Sequence, residues 1–236
     1  MCDKCCCGEY DLPPLIYHEH IIPANVDDTR ASGLLFANPA NTLNEQRTAR
    51  RGTLDSRVAV SAKIANEADT PATVWCDLNV ESESLTKAIP NSVEVTGSQD
   101  DDEKEANIGK FINQECTTLV SKASICGWGL NMQFSRTVVF CGVSHSFEQF
   151  YQSVRRCWRF GVEGEVHIHI VSSELEGRVV DNLKDKMRKA EELSEETRKH
   201  VAQYVRESVA SAARDTIAYE PKQAMKMPKW MSKEEE

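Results

Sequence analysis

The sequence predicts an α/β fold, a parallel sheet with helices on both faces, followed by a charged helical tail. Three observations carry this. Short apolar runs recur between charged segments from about residue 73 to residue 171. The runs at 73–78 (TVWCDL), 137–141 (TVVFC) and 166–171 (VHIHIV) are rich in β-branched and aromatic residues, as strands buried on two faces are. The segments between them are long enough for crossover helices, which parallel pairing requires.

The elements follow in order. Residues 1–15 form a cysteine-rich leader with Cys2, Cys5, Cys6 and Cys7. Cys2 and Cys5 make one C-x2-C, but His18 and His20 are separated by a single residue, which a zinc finger does not use. The leader is therefore read as reduced, unpaired thiols, and no metal site is assigned. Leu12-Pro13-Pro14 cannot be helical and introduces an extended piece at 15–23 whose alternation suits an edge strand, with His18 and His20 as surface residues. Thr42 with Glu45 makes a capping box for a helix to about residue 67. Its Arg47, Arg50, Arg51 and Arg57 form a basic cluster, read equally as a solvated face or as one that tracks phosphates.

Beyond residue 73 strands and helices alternate. The helices are 80–89, 100–113 and 146–160, and the remaining strands are 93–96 and 117–120. Acids open the 100–113 helix, where the macrodipole favours them, and Ile108, Phe111 and Ile112 face inward. Ser146 is placed as the N-cap of the last helix. The lobe is bounded at 16–174, and 175–236 is a charged helical tail whose end, beyond Tyr219, reads as disordered.

Composition limits the function. With 236 residues and 40% hydrophobic content the chain builds a real core. A net charge of −9 excludes coating of nucleic acid through overall charge, so phosphate contacts must come from local clusters. No apolar run reaches the length of a membrane span and no signal peptide precedes the fold. Cys76, Cys116, Cys126, Cys141 and Cys157 lie mostly in apolar segments, as reduced thiols do, so a cytoplasmic location is expected.

Two stretches carry candidate chemistry. In the 146–160 helix, Gln152, Arg155, Arg156 and Arg159 fall at i, i+3, i+4 and i+7, one face, with Val154 and Trp158 as the buried stripe. A row of guanidinium forks suits a polyanion; the other reading is a solvated face paired with carboxylates. Between residues 120 and 137, Gly127 and Gly129 permit a tight loop whose amides can point at an anion, or simply a turn before a short helix.

Together these stretches resemble a known arrangement. Ser121-Lys122-Ala123 followed by Gly127-Trp128-Gly129-Leu130-Asn131-Met132-Gln133 resembles helicase motif V of the Swi/Snf-like branch of superfamily 2, and Gln152-x-x-x-Arg156-x-x-Arg159-x-Gly161 resembles motif VI. Val93-Glu94-Val95-Thr96-Gly97-Ser98 and the acidic helix ending near Phe111 are similar to the segment upstream of motif V, and Val74-Trp75-Cys76-Asp77-Leu78 stands in the place of motif IV. The wording is closest to phage and prophage helicases.

The resemblance implies a RecA-like carboxyl-terminal lobe of a DNA helicase or translocase. It implies ATP bound between two lobes, with Mg2+ held by the other lobe. Arg159 then matches the arginine finger, Arg156 the second motif VI arginine, and Gln152 the glutamine that couples the two sites. Asn131 and Gly129 would lie near the nucleotide. Ser121, Lys122, Ser124 and the amides near Gly127 would meet the nucleic-acid backbone; DNA is expected and RNA not excluded. The stretch from Lys122 to Gly127 is longer than the common form, so the hydroxyl role is open between Ser121 and Ser124.

The sequence contains no G-x-x-x-x-G-K-[ST], and its Asp102-Glu103 pair begins a helix rather than ending a strand. The expectation is a second motor lobe that acts with a separately supplied first lobe. The alternative is a non-catalytic module, derived from a helicase, that binds nucleic acid or a partner. A small-molecule enzyme on a Rossmann-like sheet would need a dinucleotide fingerprint that is not in the sequence.

Overall fold

The computed structural model describes residues 12–23, 52–126, 129–144 and 146–211. The leader through residue 11, the proposed cap at Thr42, Arg47, Arg50, Arg51, Gly127 and the end of the tail lie outside them. Six strands form one sheet: β1 (Leu15–Ile22), β2 (Ala72–Cys76), β3 (Ser92–Val95), β4 (Thr118–Lys122), β5 (Thr137–Cys141) and β6 (Val166–Ser173). All pairs are parallel, in the order β1-β6-β5-β2-β4-β3.

Strands β2 and β5 are buried at every position, which is why their sequences run apolar without alternation. Strand β1 lies at the sheet edge, and its alternating exposure matches its alternating sequence.

Helix α1 (Leu54–Asn66) and helix α2 (Asn79–Ala88) cover one face through Val58, Ala62 and Leu85, packed on Val74, Val120, Val139 and Val171. Helix α3 (Asp101–Ile112) and helix α5 (Phe147–Cys157) cover the other through Phe111, Phe150 and Val154, packed on Trp75, Leu119, Phe140 and Ile168. A single turn, α4 (Ala123–Cys126), follows β4. The chain steps toward β3 by α1 and α2 and back toward β1 by α3 and α5, so a reversal of direction moves the connection to the opposite face. That reversal puts the crevice beyond the carboxyl ends of the central strands, where ligands of such sheets bind.

Helix α6 (Gly177–Ser211) begins on the lobe, with Val179, Val180 and Leu183 buried. The described residues fall into two compact units that meet in sequence at Lys189 and Ala190. The second is described as the remainder of α6, where Lys199 pairs with Glu195 at 2.8 Å.

Local signals set the helix starts. Asp100 accepts from Glu103 N at 2.7 Å, and Ser146 accepts from Gln149 N at 3.3 Å. Helix α2 starts differently: Glu81 Oε2 reaches back to the amides of Asp77 and Leu78, both at 2.9 Å. The other oxygen of Glu81 is held by the Arg57 guanidinium at 2.7 Å, and both side chains are fully buried. Arg57 also donates to Cys141 O at 3.1 Å and to Thr53 Oγ1 at 3.2 Å. Arg57 is thus a core residue, not part of a solvated or phosphate-tracking face, because a carboxylate on the next helix neutralises it inside the protein.

Removing one member of a buried pair strands the other charge at a cost of about 3–5 kcal/mol. Glu81→Ala is therefore expected to lower unfolding stability in urea by that amount. A loss under about 1 kcal/mol would mean the pair is dispensable.

Candidate nucleotide and nucleic-acid sites

Helix α5 is amphipathic. Phe150, Ser153, Val154 and Cys157 face the core, and Gln152, Arg155 and Arg156 are half-buried on the outer side. Gln152 Oε1 accepts from Arg156 Nη2 at 3.2 Å, one helical turn apart. Burial, and then the charge of Arg159, press the Arg156 guanidinium below its ordinary value. Arg155 stacks on two rings, 5.4 Å from the Tyr151 centroid and 5.1 Å from that of Trp158.

The helix stops at Cys157, so Arg159 is not at i+7 on the same helix as the periodicity predicts. The physical reason lies outside the helix. Trp158, the C-cap, donates its indole Nε1 to Pro13 O at 2.7 Å, and the Gln133 side-chain amide donates to Phe160 O. Gly161 then turns the chain at φ +88°, a conformation that suits glycine. Arg159 stands exposed in this turn. Leu12, Arg155, Arg156, Trp158, Arg159 and Phe160 line an open pocket of about 470 Å3.

The loop after α4 packs on the same turn. Met132 is fully buried and its N–H donates to Arg156 O at 3.0 Å. Asn131 is exposed and donates its side-chain amide to Gln133 Oε1 at 3.3 Å. Gly129 takes φ +81°. The structure thus ties the loop that carries Gly129 and Asn131, through Met132 and Gln133, to the chain around Arg156 and Arg159, although these residues come from separate motifs.

A second cleft opens at the carboxyl ends of β2, β4 and β5. Its walls include Asp77, Lys122, Ser124, Gly142, Ser144 and Gln149. Trp75 lines it as well, and its buried indole N–H has no hydrogen-bond partner among the described residues. Lys122 is half-buried at the end of β4, and Ser124 is exposed on α4. Ser121 is different: its side chain is fully buried and its hydroxyl donates to Val95 O at 2.7 Å. The neighbouring strand therefore occupies the Ser121 hydroxyl, and Ser124 is the serine that presents one to the cleft.

Ser144, Gln149 and the Trp158–Pro13 contact escape sequence reading. No spacing joins residues 145 positions apart, although a tryptophan beside two arginines was a signal that it needed a partner. Among the described residues no group of three or more His, Cys, Asp and Glu could hold a metal ion. None of the described helices is long and apolar enough to cross a membrane.

Residues 57–161 match the family model described as the helicase conserved C-terminal domain. Among solved structures, the chain is similar to the C-terminal part of the Fun30 ATPase domain, with TM-score 0.55 and 11% identity, covering 73% of this chain and 90% of that one. It is also similar to a DEAD box protein from the hyperthermophile Methanococcus jannaschii, with TM-score 0.50 and 12% identity, covering 57% of this chain and 37% of that one. No curated protein sequence matches the chain. At such identities the structural likeness shows the fold, which is RecA-like. With the matched domain it supports a helicase-type carboxyl-terminal lobe.

The two serines are separable by mutation. Ser121→Ala removes the hydrogen bond to Val95 O and is expected to cost about 1 kcal/mol of stability with no change in nucleic-acid affinity. Denaturation and binding titrations of the same sample check this; weakened binding at unchanged stability would contradict it.

Proposed function

We propose that this lobe is the second motor lobe of an ATP-dependent DNA helicase or translocase of the Swi/Snf-like branch of superfamily 2. The observation that carries the reading is the joining of two motifs. The loop bearing Gly129 and Asn131 is bonded through Met132 to the end of the helix that carries Arg156, and through Gln133 to the turn that presents Arg159.

In this reading Arg159 is the arginine finger. It is exposed on a preformed turn beside Arg156. A guanidinium facing the γ-phosphate stabilises charge that builds during phosphoryl transfer. Arg156 supports it, and Gln152 fixes the Arg156 guanidinium through their hydrogen bond. Asn131 and Gly129 border the nucleotide. Lys122 and Ser124 face the nucleic-acid backbone from the cleft at the strand ends, where Lys122 acts as a point charge and Ser124 as a hydrogen-bonding group.

Among the described residues there is no carboxylate set for Mg2+. In this reading the metal ligands and the phosphate loop belong to a first lobe outside these residues, and this lobe contributes cations and orientation.

Two measurements test the reading. With a complementing first lobe present, Arg159→Ala is expected to cut DNA-stimulated ATP hydrolysis by about 10³-fold or more while urea stability stays unchanged. Hydrolysis that survives the substitution would remove Arg159 from catalysis. Lys122→Ala is expected to lower DNA affinity and to reduce the salt slope by about one phosphate contact; an unchanged slope takes Lys122 off the DNA path. DNA binding by the lobe with no turnover under any pairing would favour the non-catalytic binding module instead.

A further inference from the structure

Four of the six histidines stand together on β1 and β6, away from both candidate sites. In the strand register His18 lies opposite His169, Ile16 opposite His167 and His20 opposite Val171. The imidazoles bridge this register diagonally. His18 Nε2 lies 3.0 Å from His167 Nδ1, and His20 Nε2 lies 3.1 Å from His169 Nδ1. Between these bonded pairs His18 stacks on His169, with centroids 4.6 Å apart and planes 14° apart. The result is one continuous ladder of imidazoles, all half-buried.

Each N···N bond needs one ring to donate and the other to accept. A neutral imidazole offers one of each, and an imidazolium offers only donors. Protonation therefore removes acceptors as well as placing like charges on stacked rings.

The ladder holds more than a strand. Just before β1, Pro14 O accepts from Val166 N at 2.9 Å and Pro13 O accepts from the Trp158 indole. Leu12, one residue earlier, lines the arginine pocket.

We propose that the imidazole ladder is a pH-dependent clamp that, when neutral, holds β1 on β6 and thereby positions Leu12 and Trp158 at the arginine pocket, and that releases them when protonated. This does not depend on what the pocket binds.

Among the described residues the surrounding charges do not cancel the effect. On β1, Glu19 is occupied by Lys184 at 2.7 Å. At the β6 entrance Glu165 lies 3.9 Å from His167 Nε2, with Asp69 and Arg136 in the same pocket. On α1, which covers this face, Arg57 is locked to Glu81, Asp55 is exposed, and Lys63 and Glu67 pair with each other in solvent. Burial first, and then His18, His20 and His167, push His169 down to about 4. His20 is lowered by burial and then by His18. A depressed imidazole means that the unfolded chain binds protons first. The stabilisation is thus complete above the ordinary value of 6.5 and is lost as pH falls from there toward about 4.

Amide exchange by NMR on the full chain tests this, with rates normalised for intrinsic chemistry. Between about pH 7.5 and about pH 5, protection of the 15–22 amides and of the Trp158 indole N–H should fall about tenfold relative to β2. In His20→Gln/His169→Gln the fall should vanish. Constant protection in the wild type, or the same loss in the double variant, overturns the proposal. Should the variant fail to fold, imidazole C2–H titration of the wild type decides. A His169 midpoint below about 5 supports the clamp, and one near 6.5 overturns it.

Discussion

The buried Arg57 guanidinium joins parts of the lobe that the sheet alone would leave independent. It touches the start of α1 at Thr53, the end of β5 at Cys141 and the first turn of α2 at Glu81. Glu81 in turn caps the chain as it leaves β2. Taking both charges out of water costs several kcal/mol each, and the close geometry and added hydrogen bonds offset that cost. The consequence is positional. Asp77 and Gly142 wall the cleft at the strand ends. The Asp77 amide is bonded to Glu81, and Gly142 follows the Cys141 carbonyl that Arg57 holds. The floor of one candidate site is therefore set by an ion pair that never meets solvent.

The two candidate sites share one short connection. Lys122 and Ser124 lie where the chain leaves β4, and Asn131, Met132 and Gln133 lie where the same connection reaches the arginine turn. Met132 is fully buried, so the loop is pinned at that end. A displacement of the backbone at α4 has a direct covalent route to the loop that holds the Arg156 carbonyl. The arginine turn is also held from the far side, by Pro13 through Trp158. Arg159 is thus presented by a turn that two remote parts of the chain stabilise, the 132–133 loop and Pro13, rather than by a helix that propagates its own geometry.

Much of the architecture was legible because it depends on local chemistry. The apolar runs at 137–141 and 166–171 and the cap at Ser146 mark their elements directly. Helix ends were less legible. Periodicity carries the arginine helix to residue 160, yet competing bonds from Pro13 and Gln133 end it at Cys157. The candidate residues themselves could be picked out by motif, but the availability of their atoms could not. Ser121 and Ser124 look alike in sequence, and only the position of Ser121 opposite Val95 in the sheet ties up its hydroxyl.

The sequence by itself determined the fold class and the alternation of strands and helices, since each rests on contacts among near neighbours and on burial patterns of fixed period. The tertiary structure alone decided which charged and polar side chains work inside the protein. Arg57 and the Cys141 carbonyl it holds are 84 positions apart in the chain, and His18 and His167 are 149 apart. Nothing local distinguishes a solvated arginine from a buried one, or a surface histidine from a ladder. Only the pairing of strands and helices brings the partner that neutralises a charge in the core and the proton-sharing bonds at the edge.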